Sequence, residues 1–149
     1  MSKILNIDNI TVNMVDVTGN LVIDYSMREL CTRPYPGHPE GCPNFGNNPQ
    51  CPPEAPVVEE FIDMGQPHYF LIAEYKMCGN QKRADTWNLI QSVLTKSIHI
   101  CEDDLPGIVG TLHPSAVGVD VFKTAASVGV TLQSKPATLC GIALIGYPL

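Results

Sequence analysis

Apolar and polar positions alternate over residues 9–16 (Asn-Ile-Thr-Val-Asn-Met-Val-Asp), which is the period of a strand with one buried face. Val17-Thr-Gly-Asn20 supplies a turn, and Leu21–Tyr25 reads as a second strand, so the pair predicts a hairpin. Ser26–Leu30 fits a helical turn. Val57–Met64 predicts a short helix with Val58, Phe61 and Ile62 inward, opened by Pro56 and closed by Gly65. Glu59 and Glu60 then point in different directions on its wet face. His68–Tyr75 is dense in aromatic and aliphatic residues and predicts a central strand, with His68 as a surface or capping residue at its start. From Gln81 to Ile98 the residues Trp87, Ile90, Leu94 and Ile98 recur at three- and four-residue steps, which predicts an amphipathic helix with Trp87 in the core. Asp120 is placed to cap a helix running through Val121, Phe122 and Ala125 to Val128, with Gly129 closing it. Val130–Leu132 reads as a short strand or extended exit. Leu139–Ile145 lacks polar alternation and predicts a strand buried on both faces. Together these elements predict one α+β domain over residues 1–149, a mixed or antiparallel sheet with helices on one face.

The pattern breaks between Cys31 and Pro56. Eight of the 13 prolines fall in this stretch, a density that excludes helix and sheet because proline fixes φ and removes donors. Three cysteines lie in it, Cys31, Cys42 and Cys51, spaced C-x10-C-x8-C, with His38 between the first two. A loop this long inside a compact domain is usually functional or disordered. Disorder favours Ser, Lys and Glu, whereas this stretch carries Cys, His, Tyr and Phe. A metal bound by the thiolates would order it.

Composition narrows the function classes. The formal charge of −6 and the absence of a basic run argue against a nucleic-acid partner. No apolar run approaches a membrane span, and the start lacks the apolar segment of a secretion signal, so the expectation is a cytoplasmic protein with no membrane association. Six cysteines in such a chain are read as metal-binding or reactive before they are read as disulfides. Cys78, Cys101 and Cys140 are read first as ordinary buried thiols. Glu102, Asp103 and Asp104, placed after the helix, lack the alternating ligands of a calcium loop and read as a solvated loop.

Two metals suit the cysteine stretch. An iron–sulfur cluster, [4Fe–4S] in type, takes thiolate ligands, and Cys42-Pro43 and Cys51-Pro52 match the Cys-Pro dipeptides of ferredoxin runs, although the spacings are wider. Zinc is the alternative, since Cys31, His38, Cys42 and Cys51 form a complete Cys3His set. The remaining reading leaves the thiols free. For a cluster held by three cysteines, the candidates for a fourth ligand are His38, Cys101 and Cys78.

Cys42-Pro-Asn-Phe-Gly46 followed by Cys51-Pro-Pro53 resembles the Cys-Pro-x-Tyr-Gly … Cys-Pro-Pro signature of a family of predicted metal-binding proteins of uncharacterised function, common in anaerobic bacteria and archaea. His113-Pro-Ser-Ala-Val-Gly-Val-Asp-Val-Phe-Lys-Thr-Ala125 is similar to that family's second signature, in the same order. The resemblance spans most of the chain from Cys31 to Val128 and implies metal binding, without implying a substrate. Family members carry a further cysteine cluster before the His-Pro stretch. Here only Cys101 stands there, so one metal site is expected where relatives hold two.

Dinucleotide, P-loop and nucleophile-elbow motifs are absent, which removes ordinary dehydrogenase, NTPase and hydrolase readings. Two classes remain open. One is a metal- or cluster-binding module for electron transfer, sensing or cluster handling, with a protein redox partner or as a homo-oligomer. The other is an enzyme whose open coordination position takes a small-molecule ligand. A purely structural assembly role is the third reading.

Overall fold

The computed structural model describes residues 2–32, 55–76, 83–132 and 138–149. Among the described residues five antiparallel strands form one sheet: β1 (Ser2–Ile7), β2 (Ile10–Asp16), β3 (His68–Lys76), β4 (Val109–Thr111) and β5 (Thr138–Gly146), in the spatial order β1-β2-β3-β5-β4. The helices are α1 (Val58–Phe61), α2 (Arg83–Asp104) and α3 (Val121–Ser127), with 3-10 helices at Tyr25–Thr32 and Pro114–Val117. The domain is therefore α+β with an antiparallel sheet.

The hairpin sits one strand earlier than the alternation suggests. β1 and β2 are joined by Asp8 and Asn9, both with positive φ (53° and 64°). Two such residues make the turn whose twist suits a two-residue hairpin, and Asn and Asp tolerate it best after glycine. Leu21–Tyr25 does not pair with β2. The Val17 N–H bonds the His68 carbonyl at 3.1 Å, and the chain then turns at Gly19 (φ 74°) and crosses to a single bridge between Ile23 and Val119.

The alternation of β3 divides two cores. Leu71, Ala73 and Tyr75 face α2 with Ile10, Val12, Ile90, Leu94, Ala143 and Ile145. Phe70 and Ile72 face the other way, with Val15, Val58, Ile62, Val117, Val119 and Leu144. The long helix thus covers one face of the sheet, and the short helical pieces pack on part of the other. Gly141 permits the close approach of α2, since a Cβ there would stand 2.5 Å from Ile90 Cγ2 and 3.1 Å from Leu94 Cδ1.

Several sequence expectations are corrected. α2 runs on to Asp104 because Leu94, Ile98, Cys101 and Leu105 continue its apolar stripe, so the acidic trio forms a last helical turn rather than a loop. Trp87 is 38% exposed and borders the core instead of filling it. α1 is a single turn: Ile62 is extended, and the Asp63 N–H bonds the Tyr147 carbonyl at 2.8 Å, drawing the chain away before Gly65. His68 is fully buried rather than at the surface. Of the two readings of Val130–Leu132, the strand is ruled out: the segment pairs with no described strand, and the Val130 N–H bonds back to the Ala125 carbonyl at 2.9 Å. β4, unmarked by alternation, is a three-residue edge strand. Asp120 caps α3 as expected, its Oδ1 accepting from the Lys123 N–H at 3.0 Å. No helix among the described residues is long and apolar enough to cross a membrane.

Ile90→Ala is expected to cost about 2–5 kcal/mol, the range for truncating a buried aliphatic side chain. Trp87→Ala, at the rim, should cost less. Urea unfolding of the two variants checks the ordering, and a larger loss at Trp87 would place it in the core after all.

Candidate metal centre

Of the sequence-derived ligands, His38, Cys42, Cys51 and Cys78 lie outside the described residues, as does the expected convergence of the three thiols. Cys31 lies in the 3-10 helix Tyr25–Thr32, which leads into the cysteine-rich stretch. The chain re-enters at Ala55, which is buried, just before α1.

Entry and exit are held together by one side chain. Arg28, in that 3-10 helix, donates from its Nε to the Ala116 carbonyl at 3.0 Å and from an Nη to the Ala55 carbonyl. A planar guanidinium spreads its donors over a rigid fork, which lets one side chain reach two separated carbonyls more readily than the compact ammonium of a lysine. A second tie runs from the Tyr25 hydroxyl to the Glu59 carboxylate on α1. Glu59 and its neighbour Glu60 push the Tyr25 phenol above its ordinary range, the hydrogen bond to Glu59 contributing most.

The same base rests on Pro114–Val117 and the residues after it. The Asp24 N–H bonds the Gly118 carbonyl at 2.7 Å, and the Asp120 N–H bonds the Val22 carbonyl at 2.8 Å. Gly118 has φ 92° and lies under the Tyr25 ring, where a Cβ would come within 2.8 Å of Tyr25 Cδ1. Glycine is needed there twice over, for the left-handed backbone and for the space. The residue that begins the cysteine stretch and the His-Pro-Ser stretch, some 80 positions apart, therefore belong to neighbouring parts of one surface.

Two thiols outside the cysteine stretch are described, the fourth-ligand candidate Cys101 and Cys140. Cys101 is buried in the core on the α2 face, and burial, with Asp104 nearby, pushes its thiol up. Cys140 stands directly opposite Glu74 on the neighbouring strand, and burial, reinforced by that carboxylate, pushes it up to about 12. Burial thus favours the protonated thiol at both positions in the metal-free chain. Among the described residues no three His, Cys, Asp or Glu side chains are grouped to hold a metal ion. A cleft of about 420 Å3 at the β4 edge runs from Ala55 and Phe61 past Val109 to Glu102, so the exit of the cysteine stretch and the helix turn bearing Cys101 border a common space.

Two histidines were undervalued in the sequence. His68 receives the Gly19 N–H at its Nε2 (3.2 Å) and bonds the Gln66 carbonyl through its Nδ1 (2.9 Å), which assigns the proton to Nδ1 and commits both nitrogens to the backbone. His113 precedes the second 3-10 helix, and burial holds it below the ordinary histidine value. Nothing in the apolar patterning marks either role.

Comparison with family models, with curated proteins and with solved structures found no match.

The depressed value of His113 has a defined pH signature. The unfolded chain takes up that proton more readily than the folded one, so the contribution is complete above the ordinary histidine value of 6.5 and is lost as pH falls below it. Replacing His113 with Gln should flatten the decline in stability between pH 7.5 and 5.5. Urea midpoints of both proteins across that window test this, and parallel curves would exclude His113 as the source. The carboxylates of Asp16 and Asp24, held low by hydrogen bonds from Thr18 and Ser26, act at more acidic pH and do not mask it.

Proposed function

We propose that this chain is a metal-binding protein that holds an iron–sulfur cluster, [4Fe–4S] in type, through Cys31, Cys42 and Cys51, for electron transfer, sensing or cluster-based chemistry. The observation that carries the reading is the Arg28 clamp. It joins positions 27 residues apart, on either side of Cys42 and Cys51. Closing a chain of that length costs about 3 kcal/mol in loop entropy. Part of the cost of gathering thiolates from a long loop is thus met by the fold before any metal binds. The donor set fits: three thiols and one imidazole lie within 21 residues, with Cys-Pro dipeptides at two of them. The resemblance to the metal-binding family rests on this stretch and on the His113–Ala125 stretch, and the first 3-10 helix is hydrogen-bonded to residues of the second.

When bound, the group would supply one-electron transfer or, with three protein thiolates, an iron able to take an outside ligand. The chain's own residues do the holding. Arg28 and Tyr25 fix the base, and the 3-10 helix presents Cys31 at the point where the stretch departs. Zinc in the Cys3His set with His38 is the competing occupant, and the enzyme reading applies only if a coordination position stays open.

Anaerobic purification, metal and sulfide analysis and a visible spectrum test the proposal. Iron and sulfide in equal amounts with a broad absorbance near 400 nm (roughly, for thiolate–iron charge transfer) are expected. Colourless protein with stoichiometric zinc would replace the cluster by the Cys3His site. Cys31→Ser, Cys42→Ser and Cys51→Ser should each release the metal, and retention in all three would exclude this stretch as the site.

Arg28→Ala tests the clamp separately. Hydrogen bonds from a charged donor contribute about 1.5–3 kcal/mol each. The variant should therefore lose metal to a chelator at least about tenfold faster while keeping its secondary structure. An unchanged release rate would sever the base from the site.

A further inference from the structure

Among the described residues, six large apolar side chains are exposed: Ile23, Tyr25, Trp87, Leu89, Phe122 and Leu149. Three of them, Ile23 (36%), Tyr25 (50%) and Phe122 (61%), lie on segments joined to one another at the base of the cysteine-rich stretch. Ile23 bridges Val119, the Val22 N–H bonds Thr124 Oγ1 at 2.9 Å, and Asp120 ties Val22 to the start of α3, where Phe122 stands. Tyr25 opens the 3-10 helix two positions after Ile23, and its ring lies against Gly118, next to the Val119 that Ile23 bridges.

The surroundings of this apolar trio carry an excess of negative charge. Glu59 bonds Tyr25, and Glu60 is close enough to act on the same phenol. Asp24 lies between Ile23 and Tyr25, and Lys123, near enough to lower its carboxyl, is the cation beside it. Glu29 is exposed on the same 3-10 helix. Carboxylates around a small apolar centre select a partner of opposite charge and speed its approach. They also disfavour a second copy of this chain, which would bring the same charges face to face. An anionic membrane is repelled for the same reason.

We propose that Ile23, Tyr25 and Phe122, ringed by Asp24, Glu59 and Glu60, form a docking surface for a protein whose own contact face is apolar at its centre and rimmed by lysines. The surface adjoins the helix that carries Cys31. If the cluster reading holds, the partner is an electron donor or acceptor, and a small salt-sensitive interface is what a transient redox encounter uses. That last clause alone rests on the cluster; the docking itself does not.

The test is titration of the 15N-labelled full chain with a basic c-type cytochrome as the probe, followed by amide shifts. Perturbation should map to residues 22–25, 59–60 and 118–123, and the affinity should fall at least about tenfold between 20 and 200 mM salt (roughly the range over which the screening length drops below the size of the patch). Glu60→Lys and Phe122→Ser, both at exposed positions, should each weaken binding about fivefold or more with the melting temperature unchanged. Shifts centred on Glu102–Asp104, binding indifferent to both substitutions, no binding, or self-association through the patch in sedimentation would each overturn the proposal. Because these readouts do not depend on a bound metal, a chain that binds the cytochrome but holds no iron would refute the cluster and leave the docking surface standing.

Discussion

One guanidinium, that of Arg28, meets two buried carbonyls, those of Ala55 and Ala116. Ala55 and Ala116 are both buried, and a buried acceptor left without a donor costs about 1–3 kcal/mol. Neither lies in a strand or a long helix whose ladder could supply that donor. Arg28 meets both at once and so fixes three chain segments, separated by 27 and 88 positions, in one place. The position of Cys31, three residues on, follows from that constraint. So does the point at which the chain returns to the sheet through α1.

The two faces of the sheet are stabilised differently. On one, α2 lays a continuous apolar stripe across four strands, with Gly141 removing the side chain that would keep it away. On the other, a single-turn α1, two 3-10 helices and the seven-residue α3 are all too short to be stable alone. They persist through backbone bonds between segments, such as Asp24 to Gly118 and Asp120 to Val22, and through side-chain ties at Arg28, Tyr25 and Thr124. Hydrogen-bonded short elements open more readily than a helix buried along its length. The segments that flank the cysteine stretch thus lie on the more adaptable face and are anchored to the sheet through Phe70, Ile72 and Leu144.

Much of this was legible in the sequence, for identifiable reasons. β2, β3, α2, the Asp120 cap and β5 each carry a local signal: alternation, aromatic density, a three-to-four repeat, or a capping carboxylate. The missed features lack one. β1 is apolar without alternation and carries a register shift between Lys3 and Leu5, and β4 is three residues long. The first hairpin was displaced because Val17-Thr-Gly-Asn20 is as good a turn as Asp8-Asn9, and only the demand of His68 for the Val17 and Gly19 amides decides against it. Three cysteines between prolines pointed to a site. The Arg28 clamp could not be read in advance, because the sequence around an arginine gives no sign of which distant carbonyls it will meet.

The placement of the two described thiols bears on the fourth ligand of the proposed cluster. Binding a metal requires a thiolate, so a cysteine whose proton is held by burial must give up that stabilisation before it can ligate. Cys101 belongs to the buried cluster on the α2 side of the sheet, where charge is poorly solvated. Recruiting it would mean moving the end of α2 out of that core or bringing the metal into it. Cys140 is opposed by the carboxylate of Glu74, which repels a thiolate further. Neither handicap applies to His38, which needs no deprotonation from a thiol and lies within the cysteine stretch itself. On the proposed reading, burial counts against Cys101 and leaves His38, Cys78 or a ligand from outside the chain for the fourth position. The retention of metal in His38→Ala separates a closed site from one that can do chemistry.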